Sequence, residues 1–140
     1  MAKILKKEIK FYAGKRKTAV AKLRTSPGKG MIFYNSLPYT ELNLFHKLAL
    51  AEPLRIYQRE IGDDIAFDFY ITTSGGGKEG QIQAARLSLA RALVDITGSQ
   101  VLVKAFVSYD RHLLVQDARR KETRKPGDSK ARAKRQKSYR

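Results

Sequence analysis

Residues 65–98 read IAFDFYITTSGGGKEGQIQAARLSLARALVDITG, and the spacing of the apolar residues changes halfway along. Ile65, Phe67, Phe69 and Ile71 alternate with Ala66, Asp68, Tyr70 and Thr72, the two-residue repeat of a strand with one buried face. Beyond Gly75-Gly76-Gly77, the positions Ile82, Ala85, Leu89, Leu93 and Ile96 step by three or four, which lays a single stripe along a helix. Gly98 stands where that helix should stop, because glycine takes the left-handed conformation of a C-terminal cap without steric cost. A strand, a glycine turn and an amphipathic helix in succession call for a sheet face covered by helix.

Upstream, Ile9 to Ala13 predicts a short strand broken by the basic run Gly14-Lys15-Arg16-Lys17. From Thr18, the residues Ala19, Ala21 and Leu23 alternate with Val20, Lys22 and Arg24, a half-buried strand with a basic outer face. Ser26-Pro27-Gly28-Lys29-Gly30 is a strong turn signal, and Met31-Ile32-Phe33-Tyr34 returns as a strand, so a hairpin is expected there. Asn35-Ser36 marks another turn. Thr40 is expected to cap a helical segment from Glu41, with apolar positions from Leu44 to Ile61. Pro53 is expected to restart that helix, since proline in an interior removes a backbone bond, and Gly62-Asp63-Asp64 to end it. Downstream, 101–109 fits a helix or a strand, and His112-Leu113-Leu114-Val115 reads as a last short strand. The pattern predicts an α+β two-layer domain with helices on one face of the sheet.

Charge divides the chain more sharply than hydropathy does. Of 140 residues, 29 are Lys or Arg and 13 are acidic, a net charge of +16. Residues 1–24 carry +8, residues 118–140 carry +9, and the body between them carries −1. The last 23 residues hold eleven Lys or Arg and no Leu, Ile, Val, Phe or Met. Such a segment cannot bury enough apolar surface to offset the entropy of ordering it, whereas it suits a phosphate backbone whose counterions it can release. The expected division is a globular domain over 1–117 and a basic extended tail over 118–140. With no cysteine, there is no disulfide framework and no thiolate site. No apolar run approaches the roughly 20 residues of a membrane span.

Gly75-Gly76-Gly77-Lys78-Glu79-Gly80 satisfies G-x-G-x-x-G, yet no second strand ending in an acid follows, and Glu79 stands where a Walker loop needs Ser or Thr. The glycines permit a tight turn, and the helix N-terminus beyond them attracts phosphate; an RNA backbone and a purely structural turn are the two readings. Lys15, Arg16 and Lys17, with Lys22 and Arg24 on the same ribbon, read as phosphate contacts. Gln83 and Arg86 lie off the apolar stripe, facing either nucleic acid or solvent. His46 and His112 stand in no catalytic spacing, and Glu60, Asp63 and Asp64 read as a helix end in preference to a metal site. Neither a cofactor nor a metal is expected, nor an enzyme.

Several stretches in order resemble the family of the ninth ribosomal protein of the small subunit, ribosomal protein S-nine. They are Tyr12 to Ala21, Gly75-Gly76-Gly77 with Gly80-Gln81, Ala84-Ala85-Arg86, Ala90 to Leu93, and Tyr109-Asp110-Arg111. Asp117 to Arg120, Glu122, Lys125-Pro126-Gly127 and the ending Gln136 to Arg140 complete the match. The Lys-Ser-Tyr-Arg ending is similar to the archaeal and eukaryotic branch, the short N-terminus to the archaeal one. Ala118 departs from the proline usual in that branch.

The resemblance implies a two-layer α+β sandwich similar to the second domain of ribosomal protein S-five, with a mixed sheet and a left-handed β-α-β crossover. It implies a place in the head of the small subunit, in the cytoplasm, bound to the 3′ major domain of the ribosomal RNA and beside other head proteins. No membrane partner and no homo-oligomer are expected. On this chain the RNA-binding positions would be Lys15, Arg16, Lys17, Lys22, Arg24, Gly75, Gly76, Gly77, Lys78, Arg86 and Arg111. In the tail they would be Arg119, Arg120, Lys121, Arg124, Lys125, Lys130, Arg132, Lys134 and Arg135. The tip, Lys137, Ser138, Tyr139 and Arg140, would approach the anticodon stem-loop of the peptidyl-site transfer RNA. A 23-residue extended tail reaches at most roughly 75–80 Å.

Overall fold

The computed structural model describes residues 9–135. Within them the chain runs through β1 (Phe11–Arg16), β2 (Ala19–Pro27), β3 (Ile32–Tyr34), β4 (Leu37–Pro38), α1 (Leu44–Glu60), β5 (Phe67–Ser74), α2 (Lys78–Thr97) and α3 (Gln100–Tyr109). The strands form one mixed sheet in the order β1-β2-β5-β3-β4, in which only β3 and β5 are parallel. This is the expected α+β architecture.

The alternation over 67–71 is the backbone of the core. Phe67, Phe69 and Ile71 of β5 are buried beside Ala19, Ala21, Leu23 and Thr25 of β2 and Ile32 and Tyr34 of β3. Against that face lie Ile82, Ala85, Leu89 and Leu93 of α2, while Leu50, Pro53 and Tyr57 of α1 and Leu102 and Phe106 of α3 close the same cluster. Each Leu, Ile or Phe fully withdrawn from water contributes about 1.5–3 kcal/mol. Gly98 caps α2 with φ of 61°, as its position predicts. The region 100–109 is helix, α3.

Four expectations are corrected. The expected hairpin of β2 with β3 does not form: β5 lies between them, antiparallel to β2 over eight register pairs from Val20↔Ser74 to Pro27↔Phe67. The longer strand wins the long-range pairing, and the β2–β3 loop is fastened over it by Asp68, whose Oδ1 accepts the N–H groups of Lys29 and Met31, each at 2.9 Å. The hairpins that do form are β1–β2 and the short β3–β4 pair about the Asn35-Ser36 turn. In the first, β1 runs on through Gly14, Lys15 and Arg16, and the chain turns only at Lys17 and Thr18.

The remaining two corrections concern helices. Residues 39–41 make only a 3-10 turn, α1 begins at Leu44, and Pro53 lies inside it. Pro53 is itself buried, so packing offsets the missing backbone bond. Residues 111–113 form a 3-10 turn in place of the last strand, capped by the Asp110 carboxylate, which accepts the His112 N–H at 2.8 Å.

Helix α2 approaches β1 most closely at Gly14. A Cβ there would stand 2.0 Å from the carbonyl oxygen of Ala84, so backbone meets backbone. Gly14→Ala should therefore lower the unfolding free energy by at least the 1–3 kcal/mol of overpacking, read as a loss of about 4–8 °C in Tm per kcal/mol; an unchanged Tm would refute the packing.

Candidate nucleic-acid interface

The basic residues of the first hairpin gather at its tip because the two strands stay paired to their ends. Lys15, Arg16 and Lys17 flank the turn, whose Lys17 has φ of 54°. The glycine loop lies directly against this turn. Gly75 and Gly76 take φ of 70° and 66°, and a Cβ on Gly75 would come within 2.7 Å of the Thr18 carbonyl oxygen. The loop is thus shaped by contact with the hairpin, and it places the start of α2, with Gly77 and Lys78, beside the basic tip. The element after α2 is α3, not a strand, so the dinucleotide-fold reading of the glycines does not hold.

A cleft of about 440 Å³ opens between the tip and α2, lined by Lys15, Arg16, Lys17, Gln83, Arg86 and, from the C-terminal side, Asp110, His112, Asp117 and Arg119. Ion pairs cross it. Asp117, its side chain only 7 % exposed, pairs with both Arg16 and Arg119, the latter at 2.7 Å. Arg86, 11 % exposed, pairs with Glu52 at 2.6 Å and Asp110 at 3.0 Å. Arg91 donates to the carbonyls of Ala13 at 2.9 Å and Leu114 at 3.1 Å. Arg16 and Arg91 thus tie the approach to the basic segment to the seam between β1 and α2, and Arg86 ties α1 to the end of α3.

The sequence-predicted positions therefore divide. Lys15, Lys17 and Lys22 make no ion pair among the described residues, and Lys22 and Arg24 stand on the uncovered face of β2. Arg86 and Arg16 are occupied by carboxylates of the fold. Arg111 sits exposed in the 3-10 turn. Arg119, Arg120, Lys121, Arg124, Lys125, Lys130, Arg132, Lys134 and Arg135 lie in a stretch with no helix or strand, all exposed. Arg132 pairs with Glu122 at 2.8 Å there. Lys137, Ser138, Tyr139 and Arg140 lie outside the described residues.

Sequence reasoning missed three things here. Arg91 was legible only as one more polar residue on α2; its role needs the neighbouring backbone. Asp117 looks like an acid in a basic run, whereas it anchors two arginines. His46 meets a carboxylate after all, Glu79 at 2.9 Å across α1 and α2, a contact between residues 33 positions apart that no local spacing reveals. Among the described residues no group of three or more acids and histidines is placed to hold a metal, and no helix is long and apolar enough to cross a membrane.

Electrostatics follow the pairs. The Arg119 hydrogen bonds, from side chain and backbone, hold the Asp117 carboxyl well below the ordinary carboxylate range, with the charges of Arg119 and Arg16 adding to them. At the far end of β1, Tyr12 donates to Asp95 at 2.6 Å beside Lys10 at 2.7 Å. Burial, then that hydrogen bond and the Asp95 charge, push the Tyr12 phenol upward, while Lys10 and Tyr12 hold Asp95 down.

An α+β domain with a basic hairpin and a basic C-terminal segment anchored beside it is an architecture of ribonucleoprotein components. Residues 14–140 match the family Ribosomal protein S9/S16, and the chain belongs to that family, in its archaeal type. It is 42 % identical over 129 residues to small ribosomal subunit protein uS9 of Halobacterium salinarum, covering 91 % of this chain and 96 % of the relative. It is 41 % identical over 130 residues to the protein of the same name from Methanococcus vannielii, covering 91 % and 95 %.

Two outcomes are expected. Arg86→Ala should destabilise the fold by about 2–4 kcal/mol in urea, because it leaves Glu52 and Asp110 facing each other without their cation. The Tyr12–Asp95 bond contributes stability that is fully present below the ordinary phenol pKa near 10 and lost as pH rises through the higher folded-state value. Urea midpoints between about pH 8 and about pH 11 should fall more steeply in the wild type than in Tyr12→Phe; equal slopes would contradict the assignment.

Proposed function

We propose that this chain is a structural, non-catalytic component of the small ribosomal subunit, acting in the cytoplasm on the ribosome. Its hairpin tip and basic segment bind the 3′ major domain of the ribosomal RNA in the subunit head. What supports this most is the sorting of charge. The acids just before the basic segment, Asp110 and Asp117, are consumed by arginines of the fold, while Lys15, Lys17, Lys22 and the cations of 120–135 are exposed, with Arg132 alone among these paired, to Glu122. Lysine and arginine so placed neutralise phosphates without reading bases. Residues 1–117 act as the folded domain and 118–140 as an arm that threads between RNA strands and offsets their repulsion. Neighbouring head proteins pack on the body, and the chain works as a single copy.

At the end of that arm, Lys137, Ser138, Tyr139 and Arg140 approach the anticodon stem-loop of the peptidyl-site transfer RNA. The resemblance of this ending to the family carries that step, and the charge of the arm is compatible with it.

Sedimentation of a lysate through a high-salt gradient should find one copy of the chain per small subunit; release into the free fraction would contradict the proposal. Lys15→Glu with Lys22→Glu should leave the melting temperature unchanged and reduce the slope of log affinity against log salt by about 2, the loss of two phosphate contacts. Deleting Ser138–Arg140 should spare subunit assembly and weaken transfer-RNA retention in the peptidyl site, measured by filter binding; full retention would remove the tip's role.

A further inference from the structure

The face of the sheet turned away from the helices carries a row of rings that the core does not use. Register places Phe11 of β1 opposite Arg24 of β2, Arg24 opposite Tyr70 of β5, and Tyr70 beside Phe33 of β3. The Phe33 and Tyr70 rings stack, with centroids 5.0 Å apart and planes within 8°. The Arg24 guanidinium lies 4.9 Å from the Tyr70 centroid. Because β2 and β3 flank β5 on opposite sides, Tyr70 is enclosed between an arginine and a phenylalanine. Phe11, at the end of the row, is 74 % exposed.

The surroundings of this row are low and basic. The next register row toward the hairpin tip is Ala13, Lys22 and Thr72, and the one after it is Lys15, Val20 and Ser74. Small side chains beside a tall aromatic row leave a shelf, and its charged members are lysines. The one acid that β5 turns to this face, Asp68, has its Oδ1 occupied by the N–H groups of Lys29 and Met31.

We infer that this face is a stacking site for an unpaired RNA nucleotide, its base laid against Phe11 and the Arg24–Tyr70–Phe33 stack and its phosphate directed to Lys22. The inference rests on the RNA-binding reading and adds to it a contact of a different kind. Lysines alone hold any phosphate, in duplex or single strand. An aromatic ring with a free face takes only a base that has left its own stack, at about 1–3 kcal/mol per base. Charge complementarity selects a polyanion as occupant, and the rings select an unstacked one.

The test uses the full chain and two probes, a single-stranded RNA of mixed sequence and a duplex RNA of equal length. Phe11→Ala should weaken single-strand binding by about 5- to 150-fold and leave duplex binding and the melting temperature unchanged, since Phe11 is outside the core. Phe11→Trp should bind like the wild type, and as the chain has no other tryptophan, its emission should be quenched by single strand and not by duplex. Equal losses on both probes, no loss on either, or an unquenched emission would overturn the stacking site while leaving phosphate binding intact. An already blue-shifted emission in the free chain would mean that protein covers this face, and would overturn it too. A wild-type chain that binds neither RNA would instead remove the RNA-binding reading, and the stacking site with it.

Discussion

The close approach of α2 to the first hairpin governs the rest of the molecule. At Gly14 the strand presents no side chain, and the Ala84 carbonyl comes within 2.0 Å of where a Cβ would stand. Ala19, Ala21 and Ala85 continue the same contact with short side chains, all fully buried. Small residues let two backbones meet, and the position of the hairpin relative to the helix is then set by sterics with little freedom left over. The glycine loop is part of the same constraint, folded so that Gly75 and Gly76 rest on Thr18 and Ala19.

From this seam the electrostatics can be understood. Arg91 bridges strand and C-terminal segment through two carbonyls, and Arg86 joins α1, α2 and the end of α3 through Glu52 and Asp110. Asp117 then holds Arg16 and Arg119 together where the basic segment departs. Arginine suits the first two places, since its planar fork serves two acceptors at once; at the third, one carboxylate is shared by two guanidinium groups. At this seam the acids neutralise arginines that join the elements of the fold, and most cations beyond them are exposed.

Much of this was legible in the chain. The alternation of Phe67, Phe69 and Ile71 and the stripe from Ile82 to Leu93 identify β5 and α2, because burial imposes its period on sequence. The phase of Lys22 and Arg24 against Ala21 and Leu23 shows which face of β2 stays wet. Two of the failures share a cause. A hairpin between β2 and β3 and a break at Pro53 were each the natural local reading, and each was overridden by elements far away in sequence: β5 and the core that α2 and α3 complete around α1. At 111–113 a local contact won instead, the Asp110 carboxylate accepting the His112 N–H. The aromatic row escaped notice because Phe11, Phe33 and Tyr70 become neighbours only through strand order.

By itself the sequence determined the fold class, the phase of β2, β5 and α2 and the concentration of positive charge at the two ends, since periodicity and composition are properties of contiguous residues. It did not give the buried face of α1, where Leu50 is buried and Leu44 and Leu48 are exposed. Tertiary structure alone decided which strands pair, which arginines are spent on internal carboxylates, and which side chains share the open face. Those are relations between residues tens of positions apart. They depend on the competition among long-range pairings, which the helix packed at Gly14 and the length of β5 resolve.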